Sequence, residues 1–189
     1  MFYKSIGKRL LDFFIVFSAV VVLSPLILLV ALLIKVFDPG PIIFKQSRIG
    51  KNGEAFKFYK FRSMPVNTGD LASDEVGQVK ITWVGKVIRR TNIDELPQLF
   101  NVLKGDMSIV GPRPPIGSQD ELIELRRENG ALQCLPGLTG LAQVNSFDGM
   151  TVPEKATFDG KYAEKVSFFT DVKIILNTFL YLLRPPPVY

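Results

Sequence analysis

From Phe13 to Ile34 the chain carries no charged residue, a run of about 22 residues. As a straight helix it is long enough to cross a bilayer core of about 30 Å. No small-x-small cleavage site precedes Lys35, so a removable signal peptide fits poorly. Ser24-Pro25 falls mid-run, where proline withdraws a helix hydrogen bond and bends the axis. Lys4, Lys8 and Arg9 stand before the run, and Lys35, Lys45 and Arg48 after it. Positive charge favours the cytoplasmic side, and here both flanks are positive. A helix-break-helix at Ser24-Pro25 that returns to the leaflet it entered satisfies both. A kinked helix that crosses completely is the other reading.

The remaining chain is long enough for one domain with a modest core. Residues 1–38 are expected to form the membrane segment and 39–189 a single catalytic-size domain, since no linker divides the latter. Hydrophobic residues make up 47%, which agrees with a membrane setting. The net charge of +5 suits anionic partners such as phospholipid headgroups or nucleotides. Histidine is absent, which removes imidazole bases, Ser-His-Asp arrangements and most zinc sites. Catalysis would use carboxylates, Lys, Arg, Tyr or a hard cation such as Mg²⁺, which takes oxygen ligands. The single cysteine, Cys134, allows no intrachain disulfide and reads as a packed core residue.

One block concentrates the chemistry. Arg89-Arg90 precede Asp94-Glu95, and Lys104-Gly105-Asp106 and Gly111-Pro112-Arg113-Pro114 follow. Read as a helix, Leu96, Leu99, Phe100 and Leu103 form one stripe, with Asp94, Gln98 and Asn101 opposite. Pro97 fits only in a first turn, which places the helix start near Asp94. Adjacent helical residues diverge by about 100°, so the two acids face different ways. One can face a substrate and the other a metal. The plainer reading is a helix N-cap followed by a first-turn acid.

Elsewhere, Ile42-Ile43-Phe44 and Phe56 to Arg62 read as strands joined by a turn at Gly50-Lys51-Asn52-Gly53. Lys60 and Arg62, two apart, share a strand face. They form either a phosphate-binding edge or ordinary solvated cations. Alternating aromatics and cations also suit RNA, but a membrane-tethered chain without an RNA module argues against a nucleic-acid partner. Pro65 to Lys80 reads as an exposed loop. Ser118 and Glu121 form a capping box for a helix ending at Asn129-Gly130. Between Val166 and Leu183 a wheel gathers Phe169, Val172, Ile175, Leu176, Phe179, Leu180, Leu182 and Leu183 on one arc, with Ile174 outside it. That helix either lies in a membrane interface or packs on the protein's own core. Pro185-Pro186-Pro187 ends it. The expected fold class is α+β, mostly α: a re-entrant N-terminal membrane helix-break-helix, a small β-hairpin and amphipathic interfacial helices.

Several long motifs in order resemble the bacterial sugar transferase family, the small monotopic phosphoglycosyl transferases. They are Phe58-Tyr59-Lys60-Phe61-Arg62-Ser63-Met64, the run from Asp94 to Leu103, Lys104-Gly105-Asp106-Met107-Ser108, Gly111-Pro112-Arg113-Pro114 and Pro136-Gly137-Leu138-Thr139-Gly140. Ser24-Pro25 matches the family's helix break. The resemblance implies transfer of a sugar-1-phosphate from a UDP-sugar to polyprenyl (undecaprenyl) phosphate, giving polyprenyl-diphospho-sugar and UMP. It places such an enzyme monotopically on the cytoplasmic face of the bacterial inner membrane, among membrane lipids, at the first step of glycan assembly. It implies Asp94 as a nucleophile forming an acyl-phosphate, Glu95 as a partner holding Mg²⁺ or orienting Asp94, and Arg89 at a family position before the nucleophile. Arg113, fixed between prolines, offers a planar fork for phosphate oxygens. Lys60 and Arg62 are further candidates for that task.

One stretch departs from the family. After Ala142-Gln143-Val144-Asn145, members often continue Gly-Arg, whereas this chain reads Ser146-Phe147-Asp148-Gly149. A cation for the nucleotide or sugar is missing there. The competing functions are a membrane-bound nucleotide-sugar hydrolase and a non-catalytic scaffold for glycan enzymes. A homo-oligomer is compatible with all three.

Overall fold

The computed structural model describes residues 3–64, 82–145 and 149–182. The predicted loop over 65–80, the Ser146-Phe147-Asp148 departure and the terminal prolines lie outside these residues. Among the described residues the architecture is mostly helical, with two small sheets.

The apolar run forms one helix, α1 (Lys8–Phe37), about 45 Å long. The expected helix-break-helix is therefore realised as a single continuous element. Its physical reason lies at the proline. Pro25 has no N–H for the carbonyl of Val21, and the Ser24 hydroxyl donates to that carbonyl instead, at 2.8 Å. Asp12, Val16, Val30 and Ile34 form the buried stripe of α1, while Phe14, Phe17, Val22, Leu28 and Leu32 are exposed.

Strands β1 (Ile43–Ile49) and β2 (Ala55–Phe61) make the expected hairpin, with β1 longer than the sequence reading. The register runs from Ile43↔Phe61 to Ile49↔Ala55. Asn52 and Gly53 turn the chain with positive φ. Phe58 packs with Val16, Val102 and Met107, and Phe61 with Val30, Ile34, Val84 and Ile88. The hairpin is thus clamped between α1 and the two helices that carry the acid block.

Helix α2 (Trp83–Arg90) starts at Thr82, whose hydroxyl accepts from Gly85 N at 3.0 Å. A left-handed residue, Asn92, then leads into a 3-10 turn, Ile93–Glu95. Helix α3 (Gln98–Lys104) follows Pro97 and ends at Gly105, φ 99°. The helix therefore begins after the proline, and the acids sit in the turn before it. Its faces also differ from expectation. Gln98 and Asn101 are fully buried and Phe100 is exposed. Asn101 explains the inversion: its amide donates to Lys57 O at 2.7 Å and accepts from Tyr59 N at 3.1 Å, tying α3 to β2.

Strand β3 (Ser108–Val110) pairs in parallel with β4 (Gly137–Thr139), with α4 (Asp120–Glu128) between them in sequence. The capping box at Ser118 does not form. Gln119 turns its side-chain oxygen back to Ile116 N at 3.1 Å, and α4 begins at Asp120. Asn129 and Gly130 end it as expected. Short α5 (Leu141–Val144) leads to α6 (Val152–Glu164), which opens with a capping box between Thr151 and Glu154.

Helix α7 (Phe168–Leu182) packs inward through the residues the wheel placed outside its apolar arc. Ile174 joins Val110 and Tyr162 in a core, and Asp171 is buried. Asp171 accepts from Tyr3 at 2.7 Å, Lys8 at 2.5 Å and Tyr162 at 2.8 Å. Phe169, Leu176, Phe179 and Leu180 face outward. The polar side of this helix faces the protein and much of its apolar side is left open.

Candidate active site

The acid pair sits where three elements converge: the turn before α3, strand β2 and the loop after β3. Asp94 is 7% exposed, and among the described residues it accepts no side-chain hydrogen bond. The Lys60 ammonium stands 3.9 Å from its Oδ2. Glu95 is held from two sides, by Lys60 Nζ at 2.8 Å and Arg113 Nη2 at 3.2 Å, both on Oε1. Adjacent residues thus diverge in role, as their angular separation requires.

The electrostatics differ accordingly. Burial pushes the Asp94 carboxyl up to about 6, helped by the Glu95 charge and opposed by Lys60, Arg89 and Arg113. Burial also works against the Glu95 anion, but Lys60 and Arg113 outweigh it and hold that carboxyl well below the usual range.

Arg113 is placed by a tight joint. The Gly111 N–H donates to Thr139 O at 2.8 Å, and Gly137 N donates to Pro112 O at 2.9 Å. A Cβ on Gly111 would collide with the Leu135 carbonyl oxygen, and one on Gly140 with the Gly111 carbonyl. Behind it, Arg126 donates to Arg113 O at 2.9 Å and pairs with Asp159 at 2.5 Å. This buried pair was not legible in the sequence, since a cation amid the charges of α4 reads as surface.

Residues 3–185 match the family model described as bacterial sugar transferase. The chain belongs to the bacterial sugar transferase family. It is 45% identical over 186 residues to the exopolysaccharide production protein PSS of Rhizobium leguminosarum bv. phaseoli, covering 90% of this chain and 92% of that one. It is 40% identical over 191 residues to the UDP-glucose:undecaprenyl-phosphate glucose-1-phosphate transferase of Caulobacter vibrioides, covering 96% of this chain and 72% of that protein. A protein of the same name from Escherichia coli K12 is 38% identical over 180 residues, 90% of this chain but 39% of its own length.

Of the residues expected to serve this sugar transferase, the structure brings together Asp94, Glu95, Lys60 and Arg113, with Arg89 close enough to act on the Asp94 charge. Arg62 is turned elsewhere. Strand β2 ends at Phe61, and the buried Arg62 guanidinium pairs with the Asp38 carboxylate at 3.1 Å and its carbonyl, at the end of α1. Ser24 and Pro25 lie inside α1, away from the acids in sequence and element. On the segments flanking the acids, the buried donors Arg89 Nη1 and Gln98 Nε2 have no hydrogen-bond partner among the described residues.

The site suits a metal only in part by itself. Among the described residues no cluster of three or more His, Cys, Asp or Glu could cage one. Asp94 and the Oε2 of Glu95 offer two oxygens, and Mg²⁺ is commonly held by one or two carboxylates completed by substrate phosphates and water. The donor set therefore fits Mg²⁺ that arrives with a diphosphate.

Proposed function

We propose that this protein transfers a sugar-1-phosphate from a UDP-sugar to undecaprenyl phosphate, releasing UMP. The observation that carries the reading is the unequal acid pair: Glu95 is clamped by two cations, while Asp94, one residue away, is buried and accepts no hydrogen bond from the described residues. A carboxylate kept away from strong donors remains nucleophilic. An Asp94 oxygen attacks the sugar-bearing phosphorus, the bond from that phosphorus to the bridging oxygen breaks, and UMP leaves with that oxygen. An oxygen of the lipid phosphate then attacks the same phosphorus and releases the Asp94 carboxylate. Lys60, Arg89 and Arg113 offset the charge of the diphosphate, which would otherwise repel the acid. Bound Mg²⁺ supplies further charge neutralisation at the phosphates, with Asp94 and Glu95 as its protein ligands. The relatives named as UDP-glucose:undecaprenyl-phosphate glucose-1-phosphate transferases support the substrate classes.

A lipid acceptor calls for a site at a membrane surface, and the exposed apolar faces of α1 and α7 support one. Ring contacts join them to neighbours: Phe37 to Trp83 at one end, Tyr3 to Phe168 at the other. Both ends of α1 grip the same body. Arg9 donates to Val102 O and Leu103 O, Asp12 accepts from Ser108, and Asp38 at the far end pairs with Arg62. A helix held at both ends by one body keeps both ends on one side of the bilayer, which supports a monotopic placement, and a re-entrant path would use the bend that Pro25 permits within α1. A UDP-sugar donor and the flanking cations support the cytoplasmic side of the bacterial inner membrane.

Purified protein in detergent, given UDP-glucose, Mg²⁺ and undecaprenyl phosphate, should release UMP in a lipid-dependent manner. UMP without any need for lipid would mark a hydrolase, UDP a simple glycosyl transferase, and no nucleotide across a panel of UDP-sugars a scaffold.

A further inference from the structure

The buried face of the segment from Asp94 to Asn101 is a row of three polar residues: Asp94, Gln98 and Asn101. The row faces β2. At one end Lys60 stands by Asp94, and at the other Asn101 is tied to Lys57 and Tyr59. Gln98 sits one turn from each end. Its side chain is 1% exposed, and its Nε2 finds no acceptor among the described residues. Asn101 shows that this interior can fully satisfy an amide, whereas the Gln98 donor is one of six buried side-chain atoms without a partner among the described residues. Native interiors rarely keep such exceptions without a use. The Arg89 Nη1 is a second unmet buried donor, on a residue whose charge acts on Asp94. Gln98 follows Asp94 by four residues and Arg89 precedes it by five, so both unmet donors belong to the segments that carry the acid.

We propose that Gln98 Nε2 donates a hydrogen bond to a non-bridging oxygen of the phosphoryl group that Asp94 attacks. This rests on the sugar-1-phosphate transfer reading. A neutral amide is suited to the task. It follows the oxygen as charge shifts during both displacements, yet adds no positive charge that would pair with Asp94 and blunt it. Lys60 and Arg113 are already engaged by Glu95.

The test replaces Gln98 by methionine, similar in shape and without a donor, and follows UMP release from UDP-glucose, or from whichever UDP-sugar the wild type accepts. The expected result is a fall in kcat of about 10²-fold, the usual loss for one oxyanion donor. KM for undecaprenyl phosphate should hold, and Tm should be equal or higher, because an unpaired buried donor has been removed. A kcat within about twofold of wild type overturns the proposal. So does a lower Tm with activity lost only in proportion to folded protein, which would mark Gln98 as structural. Gln98→Glu is the second arm should Gln98→Met not fold: it keeps the size and, once ionised, offers only acceptors, so near-wild-type turnover at alkaline pH also overturns the proposal. Wild-type protein assayed in parallel separates the two ideas. Absence of lipid-dependent UMP in the wild type sinks the transfer reading itself, whereas UMP in the wild type with unchanged Gln98 variants sinks only the role of Gln98.

Discussion

Asp94 and Asp171 are both deeply buried aspartates, and the fold treats them in opposite ways. Asp171 is saturated by two tyrosine hydroxyls and a lysine drawn from the turn Tyr3–Gly7 that precedes α1, from α1 and from α6. It staples the start of the chain to its last described helix. Asp94 has cations around it, none within hydrogen-bonding distance among the described residues, and its carboxyl is pushed up to about 6 by burial. A filled carboxylate stabilises, whereas one left short of donors is destabilising at neutral pH but able to react.

The largest expected effect is at Asp94. Asp94→Asn should lower UMP formation by at least about 10³-fold, measured with lipid and Mg²⁺ present. The same change should raise the stability of the metal-free protein at pH 7. The folded carboxyl binds its proton more tightly than the unfolded one, whose value is 3.8. Wild-type stability from this group is therefore complete below that value and falls as pH rises through about 6. Chemical denaturation at a series of pH values should show Asp94→Asn ahead by about 1–3 kcal/mol at neutral pH, with the gap closing in acid. Equal stability at neutral pH would break the contrast.

Asp171→Ala should do the reverse. It strands Lys8 and two hydroxyls, at a cost of about 3–5 kcal/mol, while turnover per folded molecule stays near wild type. Next comes Arg113→Lys, which keeps the charge but not the planar guanidinium whose Nη2 reaches Glu95 Oε1. A loss of about tenfold in kcat/KM, roughly 1.4 kcal/mol, is expected with little change in Tm. The smallest effect marks the baseline. Thr151→Ala removes the α6 capping box far from both acids in sequence, and should cost about 1 kcal/mol with no kinetic change.

Local pattern made much of this readable. The hairpin, the end of α4, the last helix and the acid block with Lys60 and Arg113 follow from periodicity, turn residues and motif order. What escaped depended on partners distant in sequence. Asn101 and Gln98 look like an exposed polar face until β2 is laid against them. Ser24 looks like part of a break until its hydroxyl is seen to stand in for the missing proline N–H. Arg62 reads as a strand cation until Asp38 is brought to it by the end of α1. Asp12, Asp171 and Tyr162 gave no signal, because a single buried polar residue has no period. The parallel pair β3–β4 is too short for alternation to register.

The joint of Gly111 against Gly137 and Gly140 constrains how such a catalyst can be altered. None of these three glycines has room for a single extra methyl group. The approach of Arg113 is consequently a fixed setting rather than an adjustable one. Redesign toward a new donor sugar would have to leave both loops untouched and act on side chains that meet the sugar from other directions.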